Sequence, residues 1–284
     1  MSAMDLSRKE YESLLATNWS SLRHMARSPA HYRHALVTPR EDTPALKRGR
    51  GVHSAVLEPE KFAKDYVRWD GGRRAGKEWT AFQEEHAGRE ILTEDEYAEC
   101  MAIAAAVLGD PIAARYVSKG KAEQTVKWTR EWPTLGGLAG YGMACKGRMD
   151  FVADCGALVD LKTTRDASPG GFGRAVVNFT MHAQAAFYSD GYEAMTGHRL
   201  PFMLVAVENV APYAVVVYQV PEEILELGRE HYVELLERLH RCRETNEWPG
   251  YSDTEQQLTL PAWAMPRTDE GDLSELGLNF NAGE

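Results

Sequence analysis

The sequence predicts an α/β (α+β) chain in which a mixed central sheet is flanked by helices. Three observations predict it. The first 110 or so residues carry helix starts, the stretch from about residue 124 switches to period two, and an amphipathic stretch follows Pro221. The order is α-rich, then βββαββ, then α, with no internal repeat.

Ser7-Arg-Lys-Glu10 has capping-box spacing and opens a short helix. Ser20 and Ser28-Pro29 mark two further starts. Arg48-Gly-Arg-Gly51 is a basic, glycine-broken entry to a helical turn at Val52–Leu57, closed by Glu58-Pro-Glu60. Residues 65–90 are polar and charged and predict a mobile excursion. Thr93-Glu-Asp-Glu96 caps an alanine-rich helix to about Leu108. Gln124–Arg130 alternates as a strand, and the glycine-rich run Leu135–Gly142 bends towards a hairpin turning at Asp154-Cys-Gly156. A loop over residues 166–173 precedes a helix from about Val177 to Met195. Strands follow at Phe202–Val207 and Tyr213–Tyr218, then a helix from Pro221 to about Glu244, ended by Trp248-Pro-Gly-Tyr251. Residues 1–265 are expected to form one domain, with a helical part over about 1–110 and a core over about 120–250. The acidic residues 266–284 predict a poorly ordered tail.

Hydrophobic residues make up 44% of the 284, and mean hydropathy is −0.43, ordinary for a globular chain. No run approaches the roughly 18 apolar residues a membrane span needs. The N-terminus lacks a secretory apolar core, so the expected compartment is the cytoplasm. Cys100, Cys145, Cys155 and Cys242 have no CxxC spacing, which argues against a disulfide framework or a zinc site. The net charge of −10 is uneven: residues 1–80 hold 15 Lys/Arg and 10 Asp/Glu, residues 221–284 hold 5 and 15. A basic part beside an acidic one is compatible with nucleic acid, because phosphate responds to the local field, and equally with two solvated faces.

The chemistry concentrates in Gly147-Arg-Met-Asp150 and Val159-Asp160-Leu161-Lys162. A hairpin between them folds Asp160 back towards Asp150, and Asp160 and Lys162 share one strand face. Two carboxylates and an ammonium on one patch suit a divalent ion beside a scissile phosphodiester. The Leu161 carbonyl offers a third oxygen ligand, and Lys162 can orient the water or the phosphate. An Asp-x-Lys strand is also what a solvated ion pair looks like, but the buried Val159/Leu161 face obliges the charged face to find partners. Gln184 and Tyr188 lie four apart on the next helix and share its face, placed to touch a phosphate backbone or to brace the lysine.

The series Gly-x-x-His, Gly-Arg-x-Asp, Asp-x-Lys-Thr and Gln-x-x-x-Tyr resembles the RecB-type branch of the PD-(D/E)XK nucleases, with its restriction-endonuclease-like core. Within that branch the chain is similar to the exonuclease VIII (RecE) family. The likeness is carried by Ala26–His34, Gly51–Phe62, His182–Tyr192 and Glu247–Ser252, and runs from about residue 10 to about 265. The resemblance implies that His53 joins Asp150 and Asp160 at the metal and that Lys162 is the catalytic lysine supported by Gln184 and Tyr188. It also implies that Glu123 is a further candidate ligand. The family activity is Mg²⁺-dependent, with Mn²⁺ able to substitute: 5′→3′ degradation of linear double-stranded DNA, leaving 3′ single strands for an annealing protein in phage or prophage recombination. Relatives assemble as rings around DNA. No iron–sulfur cluster is expected, since only Cys242 falls in the C-terminal region where the cluster-bearing Cas4 and AddB type gathers three cysteines. Exonuclease VIII carries a long extra N-terminal region and this chain is expected to correspond to the nuclease portion, so the resemblance implies the activity but not the partner contacts made by that region. The alternatives are a PD-(D/E)XK nuclease of other polarity or endonucleolytic mode, and a DNA-binding module with an inactive site.

Overall fold

Proline opens five of the helices at their first or second position, in four of them behind a Ser, Thr or Asp that caps the free N–H groups. This punctuation sets the helical half of the chain. The structure is a computed structural model describing residues 3–38, 42–133 and 140–261. In order, the elements are β1 (Met4–Asp5), α1 (Arg8–Ser13), α2 (Trp19–Leu22), a 3₁₀ turn (Arg23–Ala26), α3 (Pro29–Val37), α4 (Pro44–Leu57) and α5 (Pro59–Asp65). Then come β2 (Tyr66–Trp69), α6 (Lys77–Glu85), β3 (Glu90–Thr93), α7 (Glu94–Gly109), α8 (Pro111–Val117), β4 (Gly120–Trp132), β5 (Tyr141–Ala153) and β6 (Ala157–Thr164). The last are α9 (Pro169–Asn178), α10 (Met181–Thr196), β7 (Phe202–Glu208), β8 (Val215–Val220) and α11 (Glu222–Thr245). The chain divides into two compact units, Met1–Gly250 and Tyr251–Glu284. All the elements belong to the first; in the second, residues 251–261 form no helix or strand. The expected tail at 266–284 and most of the Leu135–Gly142 bend lie outside the described residues.

Six strands form the main sheet in the order β1-β4-β5-β6-β7-β8, with β6 and β7 parallel and every other neighbour antiparallel. Its two faces are buried by different helices, as the alternation in β7 demonstrates. Phe202, Leu204 and Ala206 join a core with α10 and α11, whereas Met203, Val205 and Val207 join one with α4, α7 and α8. The expected hairpin is present, with Gly156 at φ +84 supplying the left-handed turn and Phe151 opposite Val159. No single helix among the described residues is long and apolar enough to cross a membrane.

Several expectations are corrected. Residues 65–90 are not an open excursion. They hold a parallel β2–β3 pair and α6, pinned where the Trp69 ring packs on Trp79 and Phe82 at centroid distances of 5.3 and 4.9 Å. Arg48–Gly51 lies inside α4 rather than breaking it, because Gly51 is needed where α4 meets Cys100 of α7: a Cβ there would sit 2.9 Å from its sulfur. The stretch 169–196 is two helices. Ser168 caps α9 and Thr180, at φ +52, separates it from α10. The helix placed at Ser20 is capped instead by Asn18. Tyr213, at φ +60, lies before β8 rather than in it. β1, which adds an edge to the sheet, was not anticipated.

Candidate active site

The site forms where the sheet opens. β5 and β6 pair from Ala153↔Ala157 to Phe151↔Val159, and the next opposed residues, Asp150 and Asp160, lie beyond the ladder. β6 continues alongside β7 while β5 continues alongside β4, which leaves a gap lined by both carboxylates. Asp150 takes over the duty of the missing strand partner: its Oδ2 accepts the Leu161 N–H at 3.1 Å.

Both β4 and β5 change face at this point. On β5, Met143, Cys145 and Met149 join the α10 side, but Phe151 and Ala153 join the α4 side. On β4, Trp128 and Val126 join the α10 side while Ala122 packs on the other. The register runs Ala122↔Phe151 and Gln124↔Met149 with no Glu123–Asp150 pair between them, and Glu123 has φ +53. A non-glycine residue in the left-handed region within a strand is unusual, and here it accompanies the re-aiming of Asp150.

Asp160 is 2% exposed and belongs to a closed triangle of side chains. Lys162 Nζ lies 2.6 Å from Asp160 Oδ2 and donates to Gln184 Oε1 at 3.2 Å, while Gln184 Nε2 donates to Asp160 Oδ1 at 3.4 Å. Gln184 therefore fixes both members of the Asp-x-Lys pair from α10. Tyr188, one turn on, is near enough for the Gln184 amide to act on its phenol, and it lies over Gly147, where a Cβ would come within 3.0 Å of its ring. Gly147 thus lets α10 approach β5 directly before Asp150. His53 arrives from α4 and brings Nδ1 to 3.3 Å from Asp150 Oδ2.

The electrostatics follow from burial and crowding. Desolvation first, then the Asp160 charge, hold the Asp150 carboxyl well above its ordinary range. Burial, helped by the Lys162 charge, lowers the His53 ring, so the imidazole is neutral and fit to be a ligand. The Leu161 backbone works the other way on His53 and raises it slightly. Burial alone would lower Lys162, but Asp160 and Asp150 outweigh it and raise the ammonium above the usual lysine value. Lys162 is therefore a cation at neutral pH, not a base.

The residues suit a hard divalent ion. Two carboxylates, a neutral imidazole and a backbone carbonyl are a hard O/N donor set. Asp160 Oδ2 is buried without a hydrogen bond of proper geometry and touches only the lysine charge. Among the described residues no three His, Cys, Asp or Glu side chains are gathered closely enough to form a metal cage. The donors converge, but Lys162 holds Asp160 and His53 holds Asp150. Glu123 is not gathered with them either. It pairs with Arg148 across the strands, although its charge is felt by Asp150 and His53, and it is the fourth residue of β4.

Sequence reasoning missed three neighbours. Arg148, inside the quoted Gly-Arg-x-Asp, pairs with Glu123 and lies 5.8 Å from the Tyr11 ring centroid. Tyr11 is brought in from α1, where burial pushes its phenol up to about 12. Arg23 is near enough for its charge to act on Lys162. The Arg148 signal was in the motif; Tyr11 and Arg23 gave none, because only the fold brings them here.

Residues 18–260 match the family model described as PDDEXK-like domain of unknown function (DUF3799). No curated protein matches the chain. Among solved structures, the chain is similar to “Putative exonuclease” from Eubacterium rectale, with 17% identity and a TM-score of 0.61 over 91% of this chain and 96% of that one, a likeness of fold. SSO0001, at 15% identity and a TM-score of 0.27 over 72% of this chain and 81% of that one, carries no argument.

Proposed function

We propose, because the chain belongs to the PDDEXK-like family DUF3799, that it is a Mg²⁺-dependent nuclease that degrades linear double-stranded DNA from its ends. The observation that carries this reading is the Asp160–Lys162–Gln184 triangle facing Asp150 and His53 across the opening between β5 and β6. Asp150, Asp160, His53 and the Leu161 carbonyl would hold the ion. When bound, it supplies Lewis-acid stabilisation of the phosphoryl oxygens and a more acidic water.

The chain's own residues do the rest. Lys162, kept protonated by the two aspartates, presents a positive charge to the attacking water or to a phosphoryl oxygen. Gln184 limits the freedom of that ammonium and of Asp160 together, and Tyr188 limits that of Gln184. Removing a group of this kind costs about 10²–10³ in turnover. The buried Val159 and Leu161 hold the strand so that its charged face cannot rotate away.

The finer reading rests on resemblance to the exonuclease VIII family: 5′→3′ polarity, 3′ single-stranded products for an annealing protein in phage or prophage recombination, a ring-shaped oligomer, and work in the host cytoplasm. Phosphate contacts would position such an enzyme without base readout. The experiment is digestion of a duplex labelled at either end, with Mg²⁺, beside covalently closed circular duplex. Release of the 5′ label first, with the circle left intact, is expected. Cleavage of the circle would overturn the exonuclease reading, and release of the 3′ label first would overturn the polarity.

A further inference from the structure

We propose that Arg148 receives the scissile-strand phosphate, and that Glu123 occupies its guanidinium until the phosphate displaces it. The inference rests on the nuclease reading of the same site and assigns the substrate-positioning group within it.

Arg148 lies two residues before Asp150 on β5, and its side chain is 16% exposed. A guanidinium that deep in the fold needs an anion, and Glu123 supplies one. The pair is made through Arg148 Nε, which is buried against Glu123 Oε2 in a contact whose angle is poor for a hydrogen bond. Glu123, at 35%, is the more exposed partner. It is also held at φ +53, a conformation that a glutamate in a strand does not adopt for its own sake.

The guanidinium, by contrast, is held in place. Tyr11 lies beside it, and the end of α1 that carries Tyr11 is tied down by Lys146, which donates to the carbonyls of Tyr11, Glu12 and Leu14 at 2.8, 3.3 and 2.9 Å. The cation is thus braced on the Tyr11 side, and its carboxylate partner is the more exposed of the two. A phosphodiester offers the same charge and two oxygens at a spacing the guanidinium fork accepts. The exchange breaks one ion pair and makes another without exposing the arginine unpaired.

The test is binding of a short fluorescent linear duplex by anisotropy in EDTA, where no cleavage intervenes, across a salt series. Glu123→Gln, which removes the competitor, should tighten binding about threefold to tenfold. Arg148→Gln should weaken it about tenfold and reduce the salt slope by about 1. The double variant, which leaves no unpaired charge, should match Arg148→Gln, and it substitutes for that variant if the single change unfolds the protein. A wild-type salt slope in the folded double variant, or weakened binding by Glu123→Gln, would overturn the assignment while leaving the nuclease reading intact. Absence of duplex binding and cleavage by the wild type would overturn both.

Discussion

Asp150 and His53 are neighbours whose proton affinities are driven in opposite directions. Burial and Asp160 raise the carboxyl, whereas burial and Lys162 lower the imidazole. The raised Asp150 contributes stability that is full below the unfolded carboxylate value of about 3.9 and is lost as pH rises through its folded value. The lowered His53 contributes stability that is full above about 6.5 and is lost as pH falls through its folded value. A divalent ion needs both groups unprotonated, so its stabilising effect should grow from about pH 5.5 to about pH 8. Thermal melts with and without Mg²⁺ at those two pH values check this. A larger Mg²⁺-induced rise at the higher pH, lost in Asp150→Asn, is expected; equal rises at both would contradict it. At this scale much of the site was legible in the sequence. Strand and helix periodicity alone place Asp160 with Lys162, and Gln184 with Tyr188, on shared faces. The Glu123–Arg148 pair was not legible, because strict alternation gives no sign that β4 and β5 change face at Glu123 and Asp150.

Elements are joined here by close approaches that small or buried residues permit. Gly228 of α11 lies against the His182 carbonyl of α10, so that a Cβ would overlap it, and Gly147 does the same service for Tyr188. α10 therefore reaches the sheet with Gln184 in place. α1 is secured differently, by Lys146, a residue only 5% exposed whose ammonium serves three carbonyls at once. Lys146→Met should lower stability in urea denaturation by about 2–4 kcal/mol, since three buried acceptors lose a charged donor. A loss below about 0.5 kcal/mol would show that α1 is not anchored through this residue. The longer elements were legible because caps mark them: Thr93 for α7 and Pro221 for α11. The misreadings have local causes. Gly170, Gly171 and Gly173 disguised α9, although Ser168-Pro169 announced it. Charged residues around Trp69 and Trp79 disguised the β2–α6–β3 unit, whose packing depends on pairing across twenty-odd residues.

Over the whole molecule, the strand order β1-β4-β5-β6-β7-β8 has one consequence that matters for function. β5 and β6 pair only from Phe151↔Val159 to Ala153↔Ala157 while each continues along its other neighbour, so the carboxylates fall in the opening beyond that ladder, with one helical layer on each face. α10 supplies Gln184 and Tyr188 from one layer, and α4 supplies His53 from the other. The fold class was legible from the change of hydrophobic period, but the edge strand β1 was not, since two residues carry no periodicity. The most direct test of the central claim is hydrolysis of linear duplex DNA with Mg²⁺ by the wild type and by Asp160→Asn. Asp160 is buried, fixed by Lys162 and Gln184, and a proposed ligand. The substitution should reduce turnover by about 10³-fold or more while the protein stays folded. Full nuclease activity in a folded Asp160→Asn would contradict the account.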